Sequence, residues 1–458
     1  MTLELAAAPD AAIAAWHDGL AGAIGADSAG LLEAEQTERG LRFGERPLCT
    51  VLRPRFLTRG QYRLLQQQCR LLLRAFESAW QAAMADPAVF AQFRLEAWEA
   101  ELLGAEPARG VPSPVSRLDA FFDQAGRTFH TTEYNAETPA GSAYGDALAE
   151  VFLSLPCTRE FLRTHQLWTL PARHNVLHAL LDAWEAWSGG RNAPSIAIVD
   201  WHDVPTRSEF VLYQQFFGTR GLSCQIVDPA ECEYTGGRLI ANGSPVDLIY
   251  KRVLITELVE RGGFNHPIIR AVRDGAVCMA NGFRCKLLHK KASLAVLSDE
   301  RNRSLFGPEE RAAIARHVPW TRVVEERKTR AHEQDVDLVP YIIEQREQMV
   351  LKPNDDYGGK GVLLGWECEP AAWETAVGSA LTEPYIVQER IPLPVEPFPA
   401  LAGGGIALDE RIVDTAPFVF NGAQMDGCLT RISTASLVNV TAGGGSTVPT
   451  FVVEQRPR

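Results

Sequence analysis

The chain has no basic tract: its 458 residues carry a formal net charge of −12. That balance excludes general binding to nucleic acid or to an anionic membrane as its main task. The start, Met1-Thr2-Leu3-Glu4-Leu5, is acidic and lacks the basic segment and long apolar core of a signal peptide. No apolar run approaches the length of a membrane span. The nine cysteines include no C-x-x-C pair, and their number is odd. Free thiols in a reducing cytoplasm account for them most simply, and a zinc cluster is disfavoured. There is no internal repeat and no Ser/His/Asp or Cys/His constellation. His130, His165, His174, His202 and His289 are scattered without a shared frame, so none is assigned a catalytic role. What is present is the composition of a globular protein, 46% hydrophobic and 22% charged, with length for two or three domains.

Hydrophobic spacing divides the chain into three parts. Residues 1–110 form a helical N-terminal region, in which Leu64, Leu65, Cys69, Leu72, Leu73, Phe76 and Trp80 recur on one helical face. The proline-rich stretch from Glu106 to Pro114 is a boundary. Residues 111–280 alternate between strand and helix patterns, with strands expected at Ser195–Asp200, Leu222–Asp228 and Asp247–Val253, which suits an α/β layer. Residues 281–458 hold two glycine-rich segments and a strand at Tyr385–Gln388.

The most telling segment runs from Val350 to Val362: a short strand, Lys352, then Asp355, Asp356, Tyr357, Gly358, Gly359, Lys360 and Gly361. Glycines let the backbone close around a phosphate and aim N–H groups at it. A lysine adds mobile positive charge, and an aspartate can hold magnesium against phosphate oxygens. The segment is not the Walker pattern, which needs G-x-x-x-x-G-K-[ST]. An exposed hairpin turn is the plainer alternative.

Far upstream stand Arg117-Leu118-Asp119 and Glu133-Tyr134-Asn135. Residues two apart on a strand share a face, so Arg117 sides with Asp119 and Glu133 with Asn135. A turn at Asp123–Gly126 would make the two runs an antiparallel hairpin with Arg117 roughly opposite Glu133. Such an oxygen-rich set suits magnesium. A salt-bridged solvent face is the alternative.

Glu133-x-Asn135, taken with Lys352-Pro353-x-x-Asp356 and the glycines after it, resembles the circularly permuted ATP-grasp ligases. That group includes eukaryotic glutathione synthetase and glutathionylspermidine synthetase. The fold so implied is α/β (α+β): a permuted ATP-grasp preceded by an α/β substrate-binding domain and the helical N-terminal region. Arg117-x-Asp119 is similar to the glutathionylspermidine synthetase arrangement. The resemblance implies that Asp119, Glu133, Asn135 and Asp356 hold Mg2+ and that Arg117 contacts the transferring phosphate. It implies that Lys291, Lys352, Gly358, Gly359 and Lys360 hold ATP phosphates, and that Gln388, Glu389 and Arg390 meet the adenine through backbone groups. It implies that Arg431, and more weakly Arg252, grip a substrate carboxylate. Gly443 and Gly444 would belong to a lid at 439–446 that closes on the substrate.

The activity implied is ATP-dependent ligation of a carboxylate to an amine through an acylphosphate, with ATP and Mg2+ as cofactors. Partners would be small-molecule acid and amine substrates, with a homodimer left open and neither nucleic acid nor membrane involved. A small-molecule kinase of the same fold and a nucleotide-binding partner protein without turnover are the rivals. The N-terminal region is too short and helical to be the Cys/His amidase domain of bifunctional glutathionylspermidine synthetases.

Overall fold

The helical spacing of Leu65, Cys69, Leu72, Leu73 and Phe76 is realised in one long helix, Arg59–Ala85, where all five are buried. Leu64 and Trp80 are half-buried beside them. The computed structural model describes residues 8–123, 129–355, 359–402, 405–435 and 445–457. Thr58 caps this helix: its hydroxyl accepts from the Gln61 amide, and the Gln61 side chain accepts from the Thr58 amide. The exchange satisfies N–H groups that the first turn leaves without partners. The N-terminal region also contains a strand that the spacing did not reveal. Arg55–Thr58 pairs in parallel with Thr450–Gln455, whose other edge takes His165–Trp168 antiparallel.

The α/β layer follows the apolar runs. Its four parallel strands lie in the order Cys278–Ala280, Leu248–Lys251, Ile196–Val199, Cys224–Val227. Ile196, Ile198, Leu248 and Tyr250 join one core cluster, while Ala197, Val199, Ile249 and Met279 join another. Both faces are covered, which is why these strands read as continuous apolar runs rather than alternating ones.

Two larger antiparallel sheets frame the rest of the site. The first has the order Thr321–Val323, Tyr385–Glu389, Met349–Pro353, Leu363–Leu364. Tyr385–Glu389 is therefore an interior strand. In the second, six-stranded sheet, the long strand Gly405–Phe420 pairs with Val395–Ala402, Gln424–Ser433 and Val115–Phe122. Phe129–Asn135 and Gly445–Val448 form its two ends. The upstream hairpin thus shares a sheet with strands almost three hundred residues later. Among the described residues, no helix is long and apolar enough to cross a membrane.

Candidate active site

Val115–Phe122 and Phe129–Asn135 pair antiparallel as the sequence suggests, but in a different register. Arg117 lies opposite Asn135 and Asp119 opposite Glu133, whereas the turn-centred expectation put Arg117 opposite Glu133. The cause is a β-bulge. Nearer the turn, Phe122 faces Phe129 and Ala120 faces Thr131, and the register then shifts between Asp119 and Ala120. Thr132 is the extra residue. Without that shift, continued pairing would set Arg117 opposite Tyr134 and turn Glu133 and Asn135 to the far face. The bulge puts all four polar side chains on one surface. It also leaves the Thr132 carbonyl to accept from the Lys352 ammonium at 3.3 Å.

That surface is one wall of a cleft of about 540 Å³ between the two antiparallel sheets. Arg117, Asp119, Glu133, Asn135 and Arg431 line it from the six-stranded sheet. Lys352, Gln388, Glu389 and Arg390 line it from the other side, together with Lys291 and Gly359. Lys360 is exposed and outside the lining, and Arg252 lies elsewhere. Arg252 is enclosed in the α/β layer, donating to the Pro139 carbonyl at 2.6 Å with Glu209 at 3.9 Å. Asp356, Gly358, Gly443 and Gly444 fall outside the described residues, as does 439–444 of the expected lid.

The cationic side of the cleft is built around two lysines. Lys352 is enclosed: its Nζ donates to Gln388 Oε1 at 2.6 Å, and burial pushes its pKa down to about 8. Lys291 reaches from the glycine-rich segment to the hairpin. Its amide donates to the Asn354 carbonyl at 2.9 Å, and its ammonium meets Glu133 at 3.3 Å. Lys290 and Lys291 are both buried.

The anionic side is clamped. Both Asp119 oxygens accept from Arg117, at 2.5 and 2.8 Å, and Arg431 adds a contact at 3.0 Å. Burial alone would raise this carboxyl, but the two guanidinium charges hold it at about 2. Arg431 also donates to Asp414 at 2.7 Å through Nε and 2.9 Å through its amide. Asp414 is a cleft residue that no sequence motif announced, and burial raises its pKa.

The strand Tyr385–Glu389, with Arg390 after it, departs from its expected role in one respect. The Glu389 amide donates to the Trp320 carbonyl at 2.8 Å and the Arg390 amide to the Gln348 carbonyl at 2.7 Å. Those two N–H groups serve the sheet, not an adenine edge. The apolar lining that could receive a flat ring comes from Val350, Leu364, Trp366, Ile391 and Leu393. The Arg390 guanidinium lies 4.1 Å over the Trp366 ring. Sequence reading missed this slot because its members come from separate strands and loops.

Magnesium is the ion implied for the hairpin, and the donors there fit it. Among the described residues Asn135 Oδ1 is buried with no hydrogen-bond partner, and Glu133 stands opposite Asp119 on the same face. An amide oxygen and carboxylates suit a hard cation. Asp119 already accepts three hydrogen bonds from two arginines, and one lone pair of its Oδ1 remains for a cation.

A second polar cluster, also missed, lies beneath the glycine-rich segment. Lys286 meets Glu137 at 3.0 Å and Asp355 at 2.8 Å, Lys290 meets Glu99 at 2.7 Å and Asp355 at 3.0 Å, and Lys251 meets Glu137 at 3.5 Å. Glu137, His289 and Asp355 are spaced as metal ligands are. The three lysine ammonium groups already balance the three carboxylates, however, and Lys286 occupies the position a cation would take. Although burial opposes ionisation, the neighbouring lysines hold Glu137 well down and Asp355 at about 2. We read the cluster as a brace between the hairpin, the α/β layer and the base of the glycine-rich segment.

No family model matches the chain. It is 25% identical over 452 residues to a protein from Frankia alni with the provisional name glutamate–cysteine ligase 2-3, covering 91% of this chain and 49% of that one. A Frankia casuarinae protein with the provisional name glutamate–cysteine ligase 2-2 is 24% identical over 451 residues, with the same coverage. The chain spans about half the length of these curated relatives. Among solved structures, a glutathione synthetase-like effector from Globodera pallida, in apo form, matches with a TM-score of 0.57 and 11% identity. The match covers 93% of this chain and 96% of the other. It establishes the fold alone: a mixed α/β architecture like that of the glutathione synthetase-like effector.

Proposed function

We propose that this chain is an ATP-dependent carboxylate–amine ligase that works through an acylphosphate, of the glutathionylspermidine synthetase-like kind. The observation that carries the reading is the meeting, in one cleft, of Arg117, Asp119, Glu133 and Asn135 with Lys291 and Lys352. Residues separated by more than two hundred positions converge there on opposite sides of a space suited to a nucleotide. The names of the Frankia relatives and the fold shared with the Globodera effector support it.

Lys291 and Lys352 bind the phosphates, exchanging Glu133 and Gln388 for phosphate oxygens. The base enters the slot beside Val350, Leu364 and Trp366. Glu133 and Asn135, with Asp119 and Asp356, would hold Mg2+, which neutralises phosphate charge when bound. Arg117, oriented by Asp119 and the Ala140 carbonyl at 2.6 Å, faces the phosphoryl group in transfer. Arg431 stands where a substrate carboxylate can reach it. The substrate carboxylate attacks the terminal phosphorus and ADP departs. An amine then attacks the acyl carbon, the amide C–N bond forms, and phosphate leaves with the acyl C–O bond broken. No side-chain nucleophile is required. The acid is an amino acid or small peptide, which the relatives' names favour.

Release of ADP, measured against paired amino acids, small peptides and polyamines with Mg2+ present, tests the proposal. Turnover that needs both an acid and an amine is expected. ADP release with a hydroxyl compound alone would replace the ligase with a kinase. Failure to bind ATP would remove both.

A further inference from the structure

Behind the strand Tyr385–Glu389 lies a second cavity of about 720 Å³. That is within the range of small-molecule sites. Its floor is apolar, formed by Leu297, Phe306, Ile314 and Val318. Trp320 stands at one side, its indole fixed by a 2.9 Å bond to the Arg330 carbonyl and its ring 4.8 Å from the Arg322 guanidinium.

The charges around this floor are unevenly satisfied. Every acid in the lining already has a basic side chain as partner. Asp299 meets Arg301 at 2.9 Å, Glu300 meets Arg322 at 2.8 Å, Glu333 meets Arg330 at 2.9 Å, and Glu389 meets His332 at 3.2 Å. Arg303 and Arg316, both exposed at the rim, have no acidic partner among the described residues. These two guanidinium groups are free to meet an anionic group carried by a ligand on the apolar floor.

The wall facing the nucleotide cleft is a single strand thick. Glu389 turns to His332 on this side, while Arg390 turns to Trp366 in the cleft. His332 and Glu333 form the tip of the hairpin Lys328–Ala331/Gln334–Asp337, and both have positive φ, 45° and 67°. Non-glycine residues pay conformational energy there, and this geometry delivers the imidazole to Glu389.

We propose that this cavity is a second ligand site, for a small amphipathic anion with an apolar body and a carboxylate or phosphate head. The body lies on the Leu297, Phe306, Ile314 and Val318 floor beside Trp320, and the head pairs with Arg303 and Arg316. The site shares Glu389, Arg390, Ile391 and Pro392 as a wall with the nucleotide cleft, opens on the other side of that wall, and does not depend on the activity proposed for the cleft.

Anilinonaphthalene sulfonate has this chemistry and serves as the probe, with its fluorescence titrated on the full chain. Saturable binding is expected to weaken at least tenfold in Arg303→Glu/Arg316→Glu, whose exposed side chains leave thermal stability unchanged. Saturating Mg-ATP is expected not to displace the dye. Octanoate and octyl phosphate are then added as competitors, and the one effective at lower concentration identifies the head group. Unaltered dye binding in the double variant, competitive displacement by ATP, or indifference to both competitors would each overturn the assignment.

Discussion

Lys352 joins a buried ammonium to the edge of a cleft, so its protonation follows what fills that cleft. Burial brings its pKa down to about 8, while a bound triphosphate favours the charged form. Nucleotide binding above pH 8 should therefore take up a proton. Affinity should fall by up to about tenfold per pH unit there and level off below that pH. Calorimetric titrations in buffers of different ionisation enthalpy measure the uptake, and Lys352→Met should bind weakly with a flat profile. Across the cleft, Glu133→Gln should lower ATP turnover on the order of 10²-fold or more while leaving the circular dichroism spectrum unchanged. Asp356→Asn should do the same, and normal turnover in both variants would remove the metal assignment. These residue types were legible in sequence because their chemistry is local. Asp414 was not, since an aspartate in the middle of a strand announces nothing until its neighbour Arg431 is seen.

At the level of elements, the glycine-rich segment depends on backbone shape as well as charge. Gly361 has φ +69°, and a Cβ there would stand 2.6 Å from the Pro353 ring. Gly361→Ala should destabilise the protein by about 1–2 kcal/mol from the left-handed backbone alone, read as a lower melting temperature. The parallel strands were readable from sequence because burial on both faces writes continuous apolar runs. The hairpin was readable as a hairpin, but its register was not. A bulge at Thr132 changes which residues face each other without changing composition. Arg252 looked available at a strand's end, yet Pro139 and Glu209 come from distant segments to enclose it. Arg55–Thr58 was illegible for a related reason: a four-residue strand is defined by its partner, and that partner is Thr450–Gln455.

For the whole molecule, the brace under the glycine-rich segment sets both stability and acid tolerance. Lys286 is buried between Glu137 and Asp355. Lys286→Met leaves carboxylates without their cation and should cost about 3–5 kcal/mol, whereas Lys286→Arg should recover part of it; chemical denaturation reads both. Glu137, Asp355 and Asp119 have pKa values depressed on folding. Their contribution is complete above the ordinary carboxylate range and is lost as pH falls through that range towards about 2. Stability measured from pH 6 to pH 2 should decline across that interval, and less steeply in Asp355→Asn.

The parallel pairing of Arg55–Thr58 with Thr450–Gln455 also governs when this protein can assemble. On the ribosome, a nascent chain holds Arg55–Thr58 without its mate until Thr450–Gln455 has been synthesised. Lys291 and Lys352 likewise emerge long after the hairpin that they face. A nascent polypeptide that has not yet reached Thr450–Gln455 therefore exposes an open sheet edge, a hazard of long-range strand pairing.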